Sequence, residues 1–520
     1  MDMLQAITYT KMKQVTQSNN SDLFREMEFV GNMGENSCKE ITVTEIAYFL
    51  YFTVMFGYRA CGLYEGRLLY QVSLVVGMLL FIAKVALTDH TVLEYAFMGL
   101  LLFISGIVYY NTGEKGLLLY FTMMLGMKGV SVRRIFRLGT IILSISFSTL
   151  VLLSVTGIKS DITYLADRTF FKWIIRRSLG YPYPNTLFTT YIVLMVLIIY
   201  MLGEQSKKNL LLTSLFMFIG AVYIFIYSCS NTGIIVSVFY LLVNLYLQFR
   251  KSFSKIEKVG VQMVYPACLA FSIAAPLLIK GERFQMLDRI LHNRMAYPLY
   301  YLTNEPITLL GVRFGKTPNI NYTIDSSFLY SFLQLGIIPF VIVTMLFLCM
   351  IHDYVKREQK TEAAIIVSFC LLGLSDPFLF NLSYKNLMFL FVGEYVYRKL
   401  RELESRNLGI LNKKYQCLSI GNKVLSYDTP IYNLCCERLR GIKEAISKNN
   451  MAVSLIYILS ACVIMGVTYI ATYTSHITGR VDEPVEWEYV RRVLSLGLWG
   501  AVVIAAVYLY AVGKRNKYGK

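Results

Sequence analysis

Apolar residues along the chain gather into long runs separated by short polar stretches. The runs have the length a membrane-spanning helix needs, about 20 mostly apolar residues. About fourteen stand out, beginning near Val43, Leu68, Val92, Gly116, Ile135, Leu187, Asn209, Thr232, Val261, Ser326, Ala363, Tyr384, Met451 and Arg491. The Gly116 run is the weakest of them. The pattern predicts an all-α integral membrane protein with about 14 transmembrane helices, or roughly 12–14 if the weakest runs are discounted. The first 42 residues are polar, with Lys11, Lys13, Arg25 and Lys39 and no apolar stretch of signal-peptide type, so no cleavage is expected. No strong internal repeat or low-complexity segment is visible.

Composition agrees with a chain that lives in lipid. Of its residues 56% are hydrophobic and 16% charged, and the mean hydropathy is +0.51, too apolar for the surface of a soluble protein of this size. Lys and Arg number 51 against 33 Asp and Glu, a net charge of +18. A nucleic-acid binder can carry that balance, but here the positive charge sits in short stretches between apolar runs, the arrangement that marks cytoplasmic loops. No nucleic-acid partner is expected. The ten cysteines form no C-x-x-C pair, so neither a disulfide framework nor a zinc site is indicated.

The loops set the expected orientation. With the N-terminus in the cytoplasm, the connections at Lys128 to Arg137, Lys207-Lys208, Arg250 to Lys258, Lys356 to Lys360 and the tail Lys514 to Lys517 all fall inside, and all are basic. Both termini are then cytoplasmic, and the partner common to every run is the lipid bilayer. The chain divides into a cytoplasmic segment 1–42, a polytopic core 43–400, a polar cytoplasmic linker 401–450, and a C-terminal transmembrane hairpin with a basic tail, 451–520.

Two long outside loops of the core break the charge rule. The first, about 158–186, carries Lys159, Arg168, Lys172, Arg176 and Arg177 against Asp161 and Asp167. The second, about 280–325, carries Lys280, Arg283, Arg289, Arg294, Arg313 and Lys316 against four acids. Arginine offers a planar fork that grips phosphate or carboxylate oxygens two at a time, so an anionic ligand explains the excess. The plainer alternative is that long loops escape the rule and some of these arginines pair with acids.

The first loop ends Arg176-Arg177-Ser-Leu-Gly-Tyr181-Pro-Tyr183-Pro-Asn185. Prolines and glycine fix a turning backbone, aromatic faces suit a pyranose ring, Asn185 can read hydroxyls and arginine can take a phosphate. The same residues would also serve as an interfacial aromatic belt before a helix. In the second loop His292 lies among the arginines. That loop ends with Tyr322-Thr-Ile-Asp325-Ser326-Ser327, ahead of a helix interrupted by Gly336 and Pro339. Asp325 and Ser326 sit where an N-cap belongs, so Asp325 either caps the helix or acts as a general base on a membrane-borne substrate. Walker A, H-E-x-x-H, G-x-S-x-G and D-x-D signatures are absent, which argues against nucleotide-dependent chemistry, and no cofactor is expected.

Four stretches taken in order carry a family resemblance: Arg177-Ser-Leu-Gly-Tyr-x-x-Pro-Asn185 before one run, Ser230-Asn231-Thr-Gly233 opening another, Asp325-Ser-Ser-Phe-Leu-Tyr leading to Gly336, and Leu374-Ser-Asp376 to Asn386. The pattern, over about residues 40 to 400, resembles the O-antigen and capsular polysaccharide polymerases, the Wzy family, within the O-antigen polymerase and ligase superfamily. The resemblance implies a GT-C-like membrane glycosyltransferase on the outer face of the bacterial plasma membrane. Its donor and acceptor would be undecaprenyl-diphosphate-linked oligosaccharides, joined without nucleotide or metal, with a chain-length regulator as a candidate partner. Family members hold the diphosphate with arginines from two outside loops. Here those map to Arg176 or Arg177, and to Arg294 with Arg289 and Arg313 as rivals; catalytic roles fall on Arg177, Arg294 and Asp325. Relatives often carry Arg where this chain has Asn231, and many carry His near Asp325. The two rival readings are a ligase that moves glycan to another acceptor, and a flippase. A flippase should place charge inside the spans, where Lys84 is the main charge in this sequence.

Overall fold

The fold is that of a computed structural model, which describes residues 40–63, 66, 68–168, 171–203, 206–291, 293–315, 317–318, 322–377, 380, 384–406, 409–426, 450–477 and 483–518. His292, Lys316, Asp482 and the segments 1–39 and 427–449 lie outside them. In chain order the elements are β1 (Glu40–Thr42), α1 (Val43–Ala60), α2 (Leu68–Leu87), β2 (His90–Thr91), α3 (Val92–Thr112), α4 (Gly116–Leu125), α5 (Val132–Val155), β3 (Thr163–Arg168) and β4 (Phe171–Arg177). Then come α6 (Pro184–Leu202), α7 (Lys207–Ser228), α8 (Asn231–Phe249), α9 (Lys255–Leu278), α10 (Gly281–Ile290), α11 (Ala296–Asn304), α12 (Ser327–Leu333) and α13 (Ile337–Lys356). The chain finishes with α14 (Lys360–Leu372), α15 (Met388–Glu404), β5 (Lys414–Tyr415), β6 (Val424–Ser426), α16 (Asn450–Ile477) and α17 (Glu483–Tyr518).

Local chemistry sets many of the helix starts. Thr91 and Glu94 form a reciprocal capping box at α3, as Ser254 and Glu257 do at α9. Thr42, Ser206 and Ser230 side chains accept the first free amides of α1, α7 and α8. Among the described residues, eight helices (α2, α3, α5, α6, α7, α8, α9 and α13) are long and apolar enough to cross a bilayer. The outward face of α2 carries Leu68, Val72, Val75, Val76, Leu79 and Ile82 exposed at helical spacing, a surface that suits lipid rather than water. The chain is therefore a multi-pass, essentially all-α membrane protein.

Every predicted run is helical, but not every one is a full span. The Gly116 run forms 10 helical residues, the Ala363 run 13 and the Tyr384 run 17. At 1.5 Å per residue, 13 residues climb only about 20 Å of a core about 30 Å thick. Between α14 and α15, in the connection 373–387, the described residues Phe380, Tyr384, Lys385, Asn386 and Leu387 are buried. The Ser326 run breaks at Gly336, with α12 and α13 on either side. Gly336 and Gly311 both have positive φ, 92° and 86°, and a Cβ on Gly336 would lie 2.3 Å from the Gly311 nitrogen. Two glycines thus fasten the second loop to the head of α13.

At the centre stands α6, packed against α5, α7 and α8. The ends of α1, α3, α5, α7 and α9 meet the two long loops on one face. The short basic connections collect on the opposite face with the stretch 409–426, which is folded against the bundle. There β6 pairs antiparallel with β1 and β5 with β2, while the Leu418 amide donates to Ala86 O and the Gln416 amide to Leu87 O. The final hairpin, α16 and α17, packs on itself, and α17 touches β4.

Candidate functional site

The first loop is an antiparallel hairpin, β3 paired with β4, with Thr163 opposite Arg177 and Tyr164 opposite Arg176. Successive residues of a strand point to opposite sides, and the two arginines separate accordingly. The Arg176 Nε donates to Ser228 O at 2.7 Å and a terminal nitrogen donates to Asn185 Oδ1 at 2.7 Å. Arg177 lies in the field of Asp161, which accepts from Ser178 Oγ at 3.1 Å and from the Gly180 amide at 3.3 Å. Burial raises the Asp161 carboxyl above its ordinary range, against the pull of those donors and of Arg177. Tyr181 is buried and donates to Ala60 O at 3.1 Å. Tyr183 is exposed, 5.8 Å ring to ring from Tyr164, and Asn185 is exposed on the first turn of α6.

The first turns of α6 connect this hairpin to the second loop. Asn185 and Thr189 are four residues apart, hence stacked on one helix face. Asn185 takes Arg176, and Thr189 donates to Asp376 Oδ2 at 3.0 Å. Asp376 lies in the connection 373–387, where its backbone carbonyl accepts from Ser327 Oγ at 2.7 Å. The carbonyl just before it, Ser375 O, accepts from Arg294 at 3.3 Å, and the same guanidinium reaches Leu291 O at 3.2 Å and Asp325 Oδ2 at 3.3 Å. The Arg294 Nε is buried and has no hydrogen-bond partner among the described residues. One run of contacts, Arg176, Asn185, Thr189, Asp376, Ser375, Arg294 and Asp325, joins the two loops.

The two roles open to Asp325 separate here. Ser326 caps α12, its Oγ accepting from the Leu329 amide, so the Asp325 carboxylate is left to accept from Thr323 Oγ1 at 3.1 Å and to pair with Arg294. Burial raises the Asp325 carboxyl, and Arg294 and Thr323 oppose the rise. Tyr322 packs its ring 4.7 Å from Tyr297 and 4.9 Å from Tyr300, a neighbouring aromatic cluster. Arg289 is exposed on α10. Arg313 lies over Gly113 at the end of α3, where an added Cβ would meet its guanidinium at 3.0 Å. Of the candidates, Arg176, Asn185, Arg294 and Asp325 are brought together, and His292 falls outside the described residues.

Three residues at the junction carried no role in the sequence reading. Asp376 is partly buried, and Asp325, Lys385 and Arg294 are the charged groups in its field. Lys385 is fully enclosed, 2% exposed, donates to Thr190 Oγ1 and lies 5.7 Å from the Tyr181 ring. It adds an enclosed charge to the Lys84 noted in the sequence. Arg491, 1% exposed near the start of α17, donates to Ile226 O and Ile175 O, each at 2.7 Å. The usable signal for Asp376 and Lys385 was a lone acid and a lone base in otherwise apolar sequence. Compared with known proteins, the chain matches no family model, no curated protein and no solved structure at a significant level.

Proposed function

We propose that the protein is a glycosyltransferase of the bacterial plasma membrane that polymerises undecaprenyl-diphosphate-linked oligosaccharide repeat units on the outer face. The observation that carries the reading is the linkage of Arg176 and Arg294, from separate loops, through Asn185 and Thr189 on one face of α6 and the Ser375-Asp376 peptide that Thr189 and Arg294 both bond. Lipid diphosphate is already a good leaving group. Fixed cations where negative charge accumulates, at a site aligned before the substrate arrives, supply the largest part of what such a reaction needs. Holding donor and acceptor lipids in one cavity supplies proximity. In this reading the long loops face outward, both termini are cytoplasmic, all fourteen runs cross or enter the bilayer in a GT-C-like arrangement, and Asp325 and Arg177 support the site from its rim.

One observation favours a second reading. Lys385 is a charged group enclosed within the protein with the partly buried Asp376 in its field, as a translocation path for the same lipid-linked sugar would require. The test is to incubate protein in nanodiscs with undecaprenyl-diphosphate-linked repeat units, EDTA and no nucleotide, and to resolve products by size. A ladder of lipid-linked oligomers is expected. Unchanged substrate from folded protein, with translocation in proteoliposomes, would replace polymerisation by the flippase reading.

A further inference from the structure

Two carboxylates face the junction, and they are held differently. Asp325 spends one oxygen on Arg294 at 3.3 Å and sits at the rim, its side chain 37% exposed. Asp376 is fixed from two sides by neutral donors, its carboxylate by Thr189 and its backbone by Ser327; the Ser327 amide also donates to Gly373 O at 2.8 Å, anchoring the connection that carries it. Because Arg294 is bonded to the carbonyl of Ser375, the peptide between residues 375 and 376 sets a cation and a carboxylate side by side. Lys385 returns from the far end of the same connection to Thr190, so adjacent threonines of α6 hold the acid and the base. An enclosed ammonium is costly unless a negative group answers it, and Asp376 is the carboxylate in its field.

We infer that Asp376, rather than Asp325, is the general base that takes the proton from the acceptor hydroxyl, with Thr189 and Lys385 as the residues that position it and keep it ionised. The inference rests on the glycosyl-transfer reading above. The acceptor oxygen bonds to the anomeric carbon of the donor as the bond from that carbon to the phosphate oxygen breaks. The electron pair leaves with undecaprenyl diphosphate, whose charge faces Arg294 and Arg176, and the hydroxyl proton passes to Asp376 and then to water. A carboxylate in place of bulk water as proton acceptor is worth roughly 100- to 10,000-fold in rate.

The groups that set the ionisation of Asp376 are Asp325, Lys385 and Arg294, with Arg59 acting on Lys385 from the end of α1. A base must be ionised to accept, so turnover falls as the pH drops through the titration of Asp376. The experiment measures the rate of oligomer formation by the full chain in nanodiscs from pH 5 to 8, together with binding of undecaprenyl diphosphate as the probe. Asp376→Asn is expected to lower kcat by about 100-fold or more, to leave probe binding within about threefold, and to remove the acid limb. Asp325→Asn is expected to lower turnover through Arg294 and to keep the limb, moved to lower pH by the loss of a neighbouring negative charge. Should Asp376→Asn fail to fold, Thr189→Val carries the test. It removes a donor that favours the ionised carboxyl, so the limb moves to higher pH. Wild-type turnover with the limb intact in Asp376→Asn, an unmoved limb in Thr189→Val, or loss of the limb in Asp325→Asn would overturn the assignment while the polymerase reading stands. A wild-type protein that makes no oligomer overturns both.

Discussion

The two faces of the molecule use arginine in opposite ways. On the face with the short connections, cations meet carboxylates: Arg134 with Glu45 and Lys128 with Glu94, both at 2.6 Å, Arg357 with Asp353 at 2.8 Å and Glu394 at 3.6 Å, and Arg398 with Asp353 as well. On the face with the long loops, Arg176 donates to a carbonyl and an amide oxygen, Arg491 to carbonyls, and Arg294 to two carbonyls besides Asp325. Bonds to carbonyls orient a guanidinium without cancelling its charge; a salt bridge does both. On the first face the ion pairs tie elements of the fold together; on the second, bonds to carbonyls fix the direction of the guanidinium, which in the glycosyl-transfer reading aligns Arg294 and Arg176 for an anion.

Breaking that comparison most severely means removing a loop-face cation. Arg294→Ala is expected to lower oligomer formation by about 100-fold or more, the scale on which losing one fixed donor to a developing oxyanion is felt. Arg294→Lys should recover little, since a point charge cannot bond both Ser375 O and a phosphate as the fork does. Arg176→Ala should follow Arg294→Ala closely. Arg177→Ala should cost less, because Arg177 lies on the other side of the strand beside Asp161. All four are read from product ladders normalised to membrane protein level. Equal and near-wild-type ladders would show that the linked arginines hold no substrate.

The C-terminal hairpin gives the intermediate effect. Arg491 ties α17 to the last turn of α7 and to β4 next to Arg176, and Tyr227 meets Ser495 while the Trp499 indole donates to Tyr223 Oη at 3.0 Å. Arg491→Met strips the donors from carbonyls at Ile226 and Ile175, each worth about 1–3 kcal/mol when left buried and unpaired. Thermal melting should fall by several degrees. The apparent KM for lipid donor should rise about tenfold as β4 loosens, a change of about 1.4 kcal/mol. An unchanged KM with a lowered melting point would confine the hairpin to stability.

How much of this was legible in the sequence follows from the physics of each feature. Apolar length is a local property, so all the runs proved helical, and misplaced arginines marked the two loops. Depth is not local: the runs at Ala363 and Tyr384 read as full spans because the sequence between their helices, with Phe380, Tyr384 and Leu387, is as apolar as a helix, so Asp376 and Lys385 were given no role of their own. The first loop was read as loop, yet Thr163 to Arg177 forms a hairpin, since β-branched and aromatic residues mixed with charge give no clean alternation. Asn185 and Thr189 show helical spacing in the sequence, but nothing local says that they link Arg176 to Asp376. Arg491 looked like the first residue of a span, and its partners lie more than 260 residues away.

The smallest effect on catalysis belongs to the opposite face, and it sharpens the contrast. Arg357 stacks 4.5 Å over Tyr354 and bonds Asp353, while Tyr354 donates to Glu394 at 2.8 Å. Arg357→Ala removes one cation from a network in which Arg398 still answers Asp353 and Tyr354 still answers Glu394. The expected loss is therefore about 1–2 kcal/mol of stability, near one charged hydrogen bond, visible as a lower melting temperature. Turnover per folded molecule should stay within about twofold, because this face never meets the leaving diphosphate in the proposed reaction. If Arg357→Ala instead matched Arg294→Ala in lost turnover at normal protein level, charge paired with carboxylates would be as much a part of the chemistry as charge held by carbonyls. The division between the two faces would then fail.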